Sequence, residues 1–169
     1  GAAISGLIMT PPSGCAQRCP LVVFMMGSHG TFDYSFTGRH SADDTWFPPI
    51  NARLLANAGY AVLMHNPRGS WGFGADFQAL IIGDPAIGPT NDVEAGVDAV
   101  IAEGIADPER LAIIGIGFYD TYRLSYALTR TQRYRAAVSV VPIFDLTHWY
   151  GAGGASQRYL GGSPLLEPV

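Results

Sequence analysis

"LAIIGIGFYDTY", residues 111–122, decides how this chain folds. A β-favouring apolar run from Leu111 to Ile116 meets Gly117, and the pattern then turns helical over about 119–131, ahead of Tyr134. A buried strand that passes through a glycine straight into a helix is the repeating unit of a parallel sheet.

Working outward, "LVVFMM" (21–26), closed by Gly27, and "AVLMH" (61–65) have the same doubly buried strand character, and "AAVSVV" (136–141) is a fourth such run. Helical patterns lie between them. In "NDVEAGVDAVIAEG" (91–104), Val93, Val97, Val100 and Ile101 form one apolar stripe. Asn91 with Glu94 predicts a capping box at its start and Gly104 a stop at its end. "NARLLANAG" (51–59) predicts a shorter helix with Gly59 as its left-handed terminator. Strands alternating with helices through short connections give an α/β class with a mostly parallel sheet and helices on both faces.

The 169 residues are long enough for one domain with a sizeable core, and 48% hydrophobic against 14% charged residues excludes disorder as the main state. A net charge of −4, with 10 scattered basic residues, argues against nucleic acid as a partner. No apolar run reaches membrane-spanning length, so no membrane is expected; no charged leader with an apolar core opens the chain, and a cytoplasmic location is favoured, while a start at Gly1 rather than Met leaves an upstream signal open. Cys15 and Cys19 are the only cysteines; without a second ligand pair they predict no metal site, and they read as loop thiols or as a pair. His29, Asp33, His40, Asp43 and Asp44 crowd the segment 28–45 without a ligand spacing and read as a solvated polar loop. His65 and His148 read as hydrogen-bonded structural imidazoles, and Trp46, Trp71 and Trp149 as covers for the sheet ends.

In open parallel sheets, ligands bind beyond the carboxyl ends of the strands, which directs attention to "GSHGTFDYSF", "NPRGSWGFG", "GFYDTY" and "PIFDLTHWY". The run "NPRGSWGFGADFQ" (66–78), "GD" at 83–84, "NDVEAGVDAVIAEGIADPERLAI" (91–113) and "ALTRTQRYRAAV" (127–138) together resemble the catalytic domain of prolyl oligopeptidase-type serine peptidases. The acylaminoacyl-peptidase and dipeptidyl-peptidase-like branch is the nearest in pattern. The likeness extends from "PPSG" before the first strand to "YLGGSP" near the end. It implies an α/β-hydrolase core with "AVLMH", "LVVFMM", "LAIIGI" and "AAVSVV" side by side in that order, residues 2–9 adding a flanking strand, and no cofactor.

The resemblance also implies a serine on the strand-to-helix turn, in a stretch of the type G-W-S-Y-G-G-Y. This chain has "GIGFYDTY" there. Counting forward from Gly115 puts Gly117 at the serine position. Counting back from "ALTRTQRYRAAV" puts Phe118 there and keeps Tyr119 and Tyr122 as family tyrosines; this second count preserves the helix length and is the preferred one. Neither residue can form an acyl-enzyme. Thr121 and Ser125 lie one and two turns beyond and read as structural hydroxyls. By the same resemblance, backbone NH groups of Gly27, Ser28 and Tyr119 are the oxyanion candidates, although "MMGSHG" has Met26 where the family has a histidine and is one residue shorter. Arg68 is expected to fix its loop through hydrogen bonds to neighbouring backbone. Asp145 is not assigned the triad acid.

In the family, the triad acid and histidine follow on later strands than those counted here, so residues 1–169 are expected to be a partial domain ending before them. The expected function is that of a serine-type peptidase domain, of peptide or acyl-peptide specificity, inactive as it stands. The alternative is a non-catalytic binding or assembly module. In both, the "AAVSVV" strand is an exposed edge open to self-association or to a partner chain, and peptide-like ligands are the expected small partners.

Overall fold

The structure is a computed structural model and describes residues 3–25, 52–140, 142–145, 147 and 151. In chain order its elements are β1 (Ser5–Met9), β2 (Cys19–Met25), α1 (Ala52–Asn57), β3 (Ala61–Asn66), α2 (Ala75–Ala79), α3 (Ile87–Ala102), β4 (Ala106–Ile116), α4 (Phe118–Arg130) and β5 (Tyr134–Val140).

The five strands form one sheet in the order β1-β3-β2-β4-β5. The contacts β3-β2, β2-β4 and β4-β5 are parallel, and β1 runs antiparallel to β3 with Gly6 opposite His65. This is the expected order of the four apolar runs, with the flanking strand at the β3 side.

Period-two alternation divides the sheet between two helical layers. Leu21, Val23 and Met25 of β2, Leu63 of β3 and Leu111 and Ile113 of β4 face α3, through Val93, Val97 and Val100, and α4, through Leu124 and Ala127. Val22, Phe24, Val62, Met64 and Ile114 face the other way, where Ala52 and Leu55 of α1 cover them. Both faces of β2 and β3 are buried, which is why both strands read as continuous apolar runs rather than as alternating ones.

Helix α3 starts four residues before the expected Asn91 cap. The carboxylate of Asp84 takes the first free NH groups instead, accepting from Ile87 N at 2.8 Å and Gly88 N at 2.9 Å. An anionic acceptor there also suits the helix dipole. Asn91 lies inside the helix, and Glu94 is engaged elsewhere, by Arg133 Nη1 at 2.7 Å and the Tyr134 hydroxyl at 2.5 Å. Gly104, with φ 78°, lies just past the end of the helix as expected.

Cys15 and Cys19 are joined in a disulfide with their Cα atoms 5.4 Å apart, so the loop-thiol reading is replaced by the paired one. No described helix is long and apolar enough to cross a membrane.

Candidate active-site elbow

Strand β4 ends at Ile116 and α4 begins at Phe118, leaving Gly117 alone at the turn with φ 89° and ψ 175°. That backbone region is essentially closed to residues with a side chain, and glycine enters it at no steric cost. Two residues earlier, Gly115 lets the helix fold back tightly onto the strand. A Cβ there would lie 3.0 Å from the Asp120 carbonyl oxygen and 3.1 Å from Leu124 Cβ. Around Gly117 the opposite holds: among the described residues nothing lies within 4 Å of where its Cβ would be. Among the described residues the turn thus has a crowded underside and no close neighbour on its other side.

Three side chains tie the surrounding loops to α3 and α4. Arg123 of α4 is 1% exposed and donates from Nε to the Pro85 carbonyl at 2.8 Å and from Nη1 to Asp120 at 3.1 Å. Thr121, wholly buried, accepts through Oγ1 from the amide of Ile143, beyond β5, at 3.1 Å. Arg68, after β3, clasps Asp92 of α3 with Nε at 2.8 Å and Nη2 at 2.7 Å, and its own amide donates to the same carboxylate at 2.9 Å. Among the described residues Arg68 therefore fixes its loop through a carboxylate on α3 and not through neighbouring backbone. Gly88 makes room for this arrangement, since a Cβ there would come 2.9 Å from Arg68 Nη1.

His65, near the end of β3, is 3% exposed and packs against Gly96 of α3. Neither ring nitrogen has a hydrogen-bond partner among the described residues, which corrects the expected hydrogen-bonded imidazole. Burial pushes its pKa down to about 4, with Asp92 pulling weakly the other way.

Gly117 is the turn itself; Phe118 and Tyr119 are the first two residues of α4. Gly27 and Ser28, like His29, Asp33, His40, Asp43, Asp44, Trp46, His148 and Trp149, lie outside the described residues. The hydroxyls of Thr121 and Ser125 are both engaged, the latter donating to the Thr121 carbonyl at 2.9 Å. Trp71 is half exposed beside the Arg68 loop, and Asp145 accepts from the amide of Thr147 at 2.8 Å. The buried Asp120–Arg123 pair was not read from the sequence. Its only signal is the i, i+3 spacing of opposite charges on one helix.

A mostly parallel sheet layered by helices, with a strand-to-helix glycine turn at its carboxyl edge, is the core of an α/β-hydrolase. An acylaminoacyl peptidase of Pyrococcus horikoshii has the same fold, with a TM-score of 0.78 at 24% identity over 98% of this chain and 26% of that one. The model of the prolyl oligopeptidase family matches residues 45–164, more than half of the sequence. The chain belongs to the prolyl oligopeptidase family of serine peptidases. The uncharacterised peptidase YuxL of Bacillus subtilis is 35% identical over 100 residues, 59% of this chain and 15% of that protein. The acylamino-acid-releasing enzyme of Arabidopsis thaliana is 31% identical over 117 residues, 68% of this chain and 15% of that protein. The chain thus spans 15% of the length of each of these relatives.

Proposed function

We propose that this serine peptidase-type domain does not perform acyl transfer at its elbow, and that it retains the hydrolase scaffold to hold a peptide-like or acyl-peptide ligand. The observation that carries the reading is the turn at Gly117. A nucleophile elbow places its serine on the strained residue between strand and helix, with small residues around it. Here the left-handed residue is Gly117, with Gly115 two before it packed against α4. That geometry favours the forward count from Gly115 over the count that puts the serine position at Phe118, a helical residue. In either count no side-chain oxygen stands at the position, and the hydroxyls of Thr121 and Ser125 are committed within and behind the helix. The ligand class is argued from the acylamino-acid-releasing relative. Among the described residues no atom lies within 4 Å of where a side chain at Gly117 would begin, so that backbone is where a ligand would approach.

The test is labelling of the purified chain by a fluorophosphonate probe, read by intact mass, with phenylmethylsulfonyl fluoride as competitor. A folded chain is expected to take no competable adduct. A stoichiometric adduct would overturn the proposal and mark an activated hydroxyl.

A second reading, an assembly module, is favoured by β5. Among the described residues this strand pairs only with β4, and Arg135, Ala136, Ala137 and Val138 are exposed. An unpaired, mostly small and apolar edge is a template for a further strand. Sedimentation velocity of the chain and of Val138→Lys checks it: association weakened by the lysine supports the module, and a monomer at all concentrations removes self-association.

A further inference from the structure

Opposite the elbow, at the amino ends of β2 and β4, the disulfide has two unequal sides. Cys19 opens β2, is 4% exposed, and donates its amide to the Ile105 carbonyl at 2.8 Å. Cys15 is half-buried in the preceding loop, packs in part against the core, and lines an open surface groove of about 440 Å³ together with Gly14, Gln17, Arg18, Gly59 and Arg110. Arg110 is held over the loop by Nη2, which donates to the Arg18 carbonyl at 2.8 Å, while its Nε donates to Asp107 at 2.8 Å. Two guanidinium groups against one carboxylate leave this groove with a net positive charge beside the half-buried Cys15.

We infer that Cys15 is a site of S-thiolation by small carboxylate-bearing thiols, of which glutathione is the probe. The thiol ionises and its thiolate attacks Cys15 Sγ. The new sulfur–sulfur bond forms as the Cys15–Cys19 bond breaks, and Cys19 leaves as a thiolate that takes up the released proton. One disulfide is consumed and one mixed disulfide is made, so the sulfur oxidation states balance. Attack falls on Cys15 because Cys19 is walled in by the sheet, and access selects the sulfur. The arginines favour an anionic thiol over a neutral one.

The experiment treats the oxidised full chain with reduced glutathione or with 2-mercaptoethanol, matched for thiolate concentration, then alkylates rapidly and maps peptides by mass. Glutathione is expected on Cys15 with the alkyl group on Cys19. Its rate should be about three- to fivefold above that of 2-mercaptoethanol at low salt. The preference should vanish in ~1 M salt and in the Arg18→Ala, Arg110→Ala chain. Because Cys19 can displace the adduct, Cys19→Ser is tested in parallel with oxidised glutathione against 2-hydroxyethyl disulfide, and the same charge preference is expected at Cys15. Modification at Cys19, equal rates for charged and neutral reagents, or two free thiols in the aerobically purified chain would each overturn the inference.

Discussion

The imidazole of His65 fills the space that any side chain at Gly96 would need. An ideal Cβ at 96 would collide with His65 Nε2, so the closeness of α3 to β3 depends on a glycine inside a helix. That glycine costs helix propensity of about 1 kcal/mol relative to alanine, and the contact explains its presence. Gly96→Ala is therefore expected to destabilise the chain by roughly 1–3 kcal/mol in urea unfolding, against its propensity gain. In a His65→Ala background the same change should cost far less. A neutral Gly96→Ala in the parent chain would show that α3 is not held so close.

Acid should act through the same imidazole. Unfolded, His65 takes its proton near pH 6.5; folded, it does so only near 4, because burial disfavours the cation. Between those values the unfolded chain binds more protons, so stability falls as pH drops from about 6.5 and this contribution is fully lost near 4. The loss amounts to roughly 3 kcal/mol. His65→Leu should flatten the profile of unfolding free energy in this window. An unchanged profile would refute the assignment.

Arg123 and Asp120 are both buried within one turn of the elbow. Arg123→Ala removes the cation of this buried pair together with its bond to Pro85, and is expected to cost about 3–5 kcal/mol. Arg123→Met with Asp120→Leu should recover much of this by replacing the pair with apolar packing. Equal losses in the single and double variants would show that the hydrogen bond to Pro85, and not the ion pair, is the main attachment.

Asp92 accepts three hydrogen bonds from Arg68 and so anchors the loop that presents Trp71 and Phe73 to solvent. Asp92→Ala should open this loop locally, raising chymotryptic cleavage after Trp71 or Phe73 by about tenfold with cleavage elsewhere unchanged. Uniformly faster cleavage would indicate global destabilisation instead.

At the elbow, Gly117→Ala should cost about 1–3 kcal/mol, since φ 89° is strained for alanine and no described atom lies close enough to clash with its methyl group. A stabilised Gly117→Ala chain would mean that the turn relaxes out of this conformation.

Much of the fold was legible because its strands are buried on both faces. Leu21–Met25 and Ala61–His65 announce themselves as unbroken apolar runs, and the Val93, Val97, Val100 stripe has the helical period. What stayed hidden depends on tertiary approach. Asn91 and Glu94 satisfy the local capping pattern, but Asp84 lies where the chain returns to α3 and wins the amides; the short helix α2 and the extension of β4 back to Ala106 lack a sustained pattern. At the elbow, "GIGFYDTY" showed that no serine stands at the turn. Which residue occupies the apex required a dihedral angle, because Gly117 and Phe118 differ by one step along the chain and by a whole conformational class in space.

The amide of Gly117 donates to the carbonyl of Val140 at the end of β5, 3.1 Å away. The height of the turn is thereby tethered to a strand whose outer side is exposed among the described residues. A displacement of that strand would reach the elbow through this bond, through the adjoining ladder in which Gly115 faces Ser139 and Ile116 faces Val140, and through the Ile143–Thr121 bond.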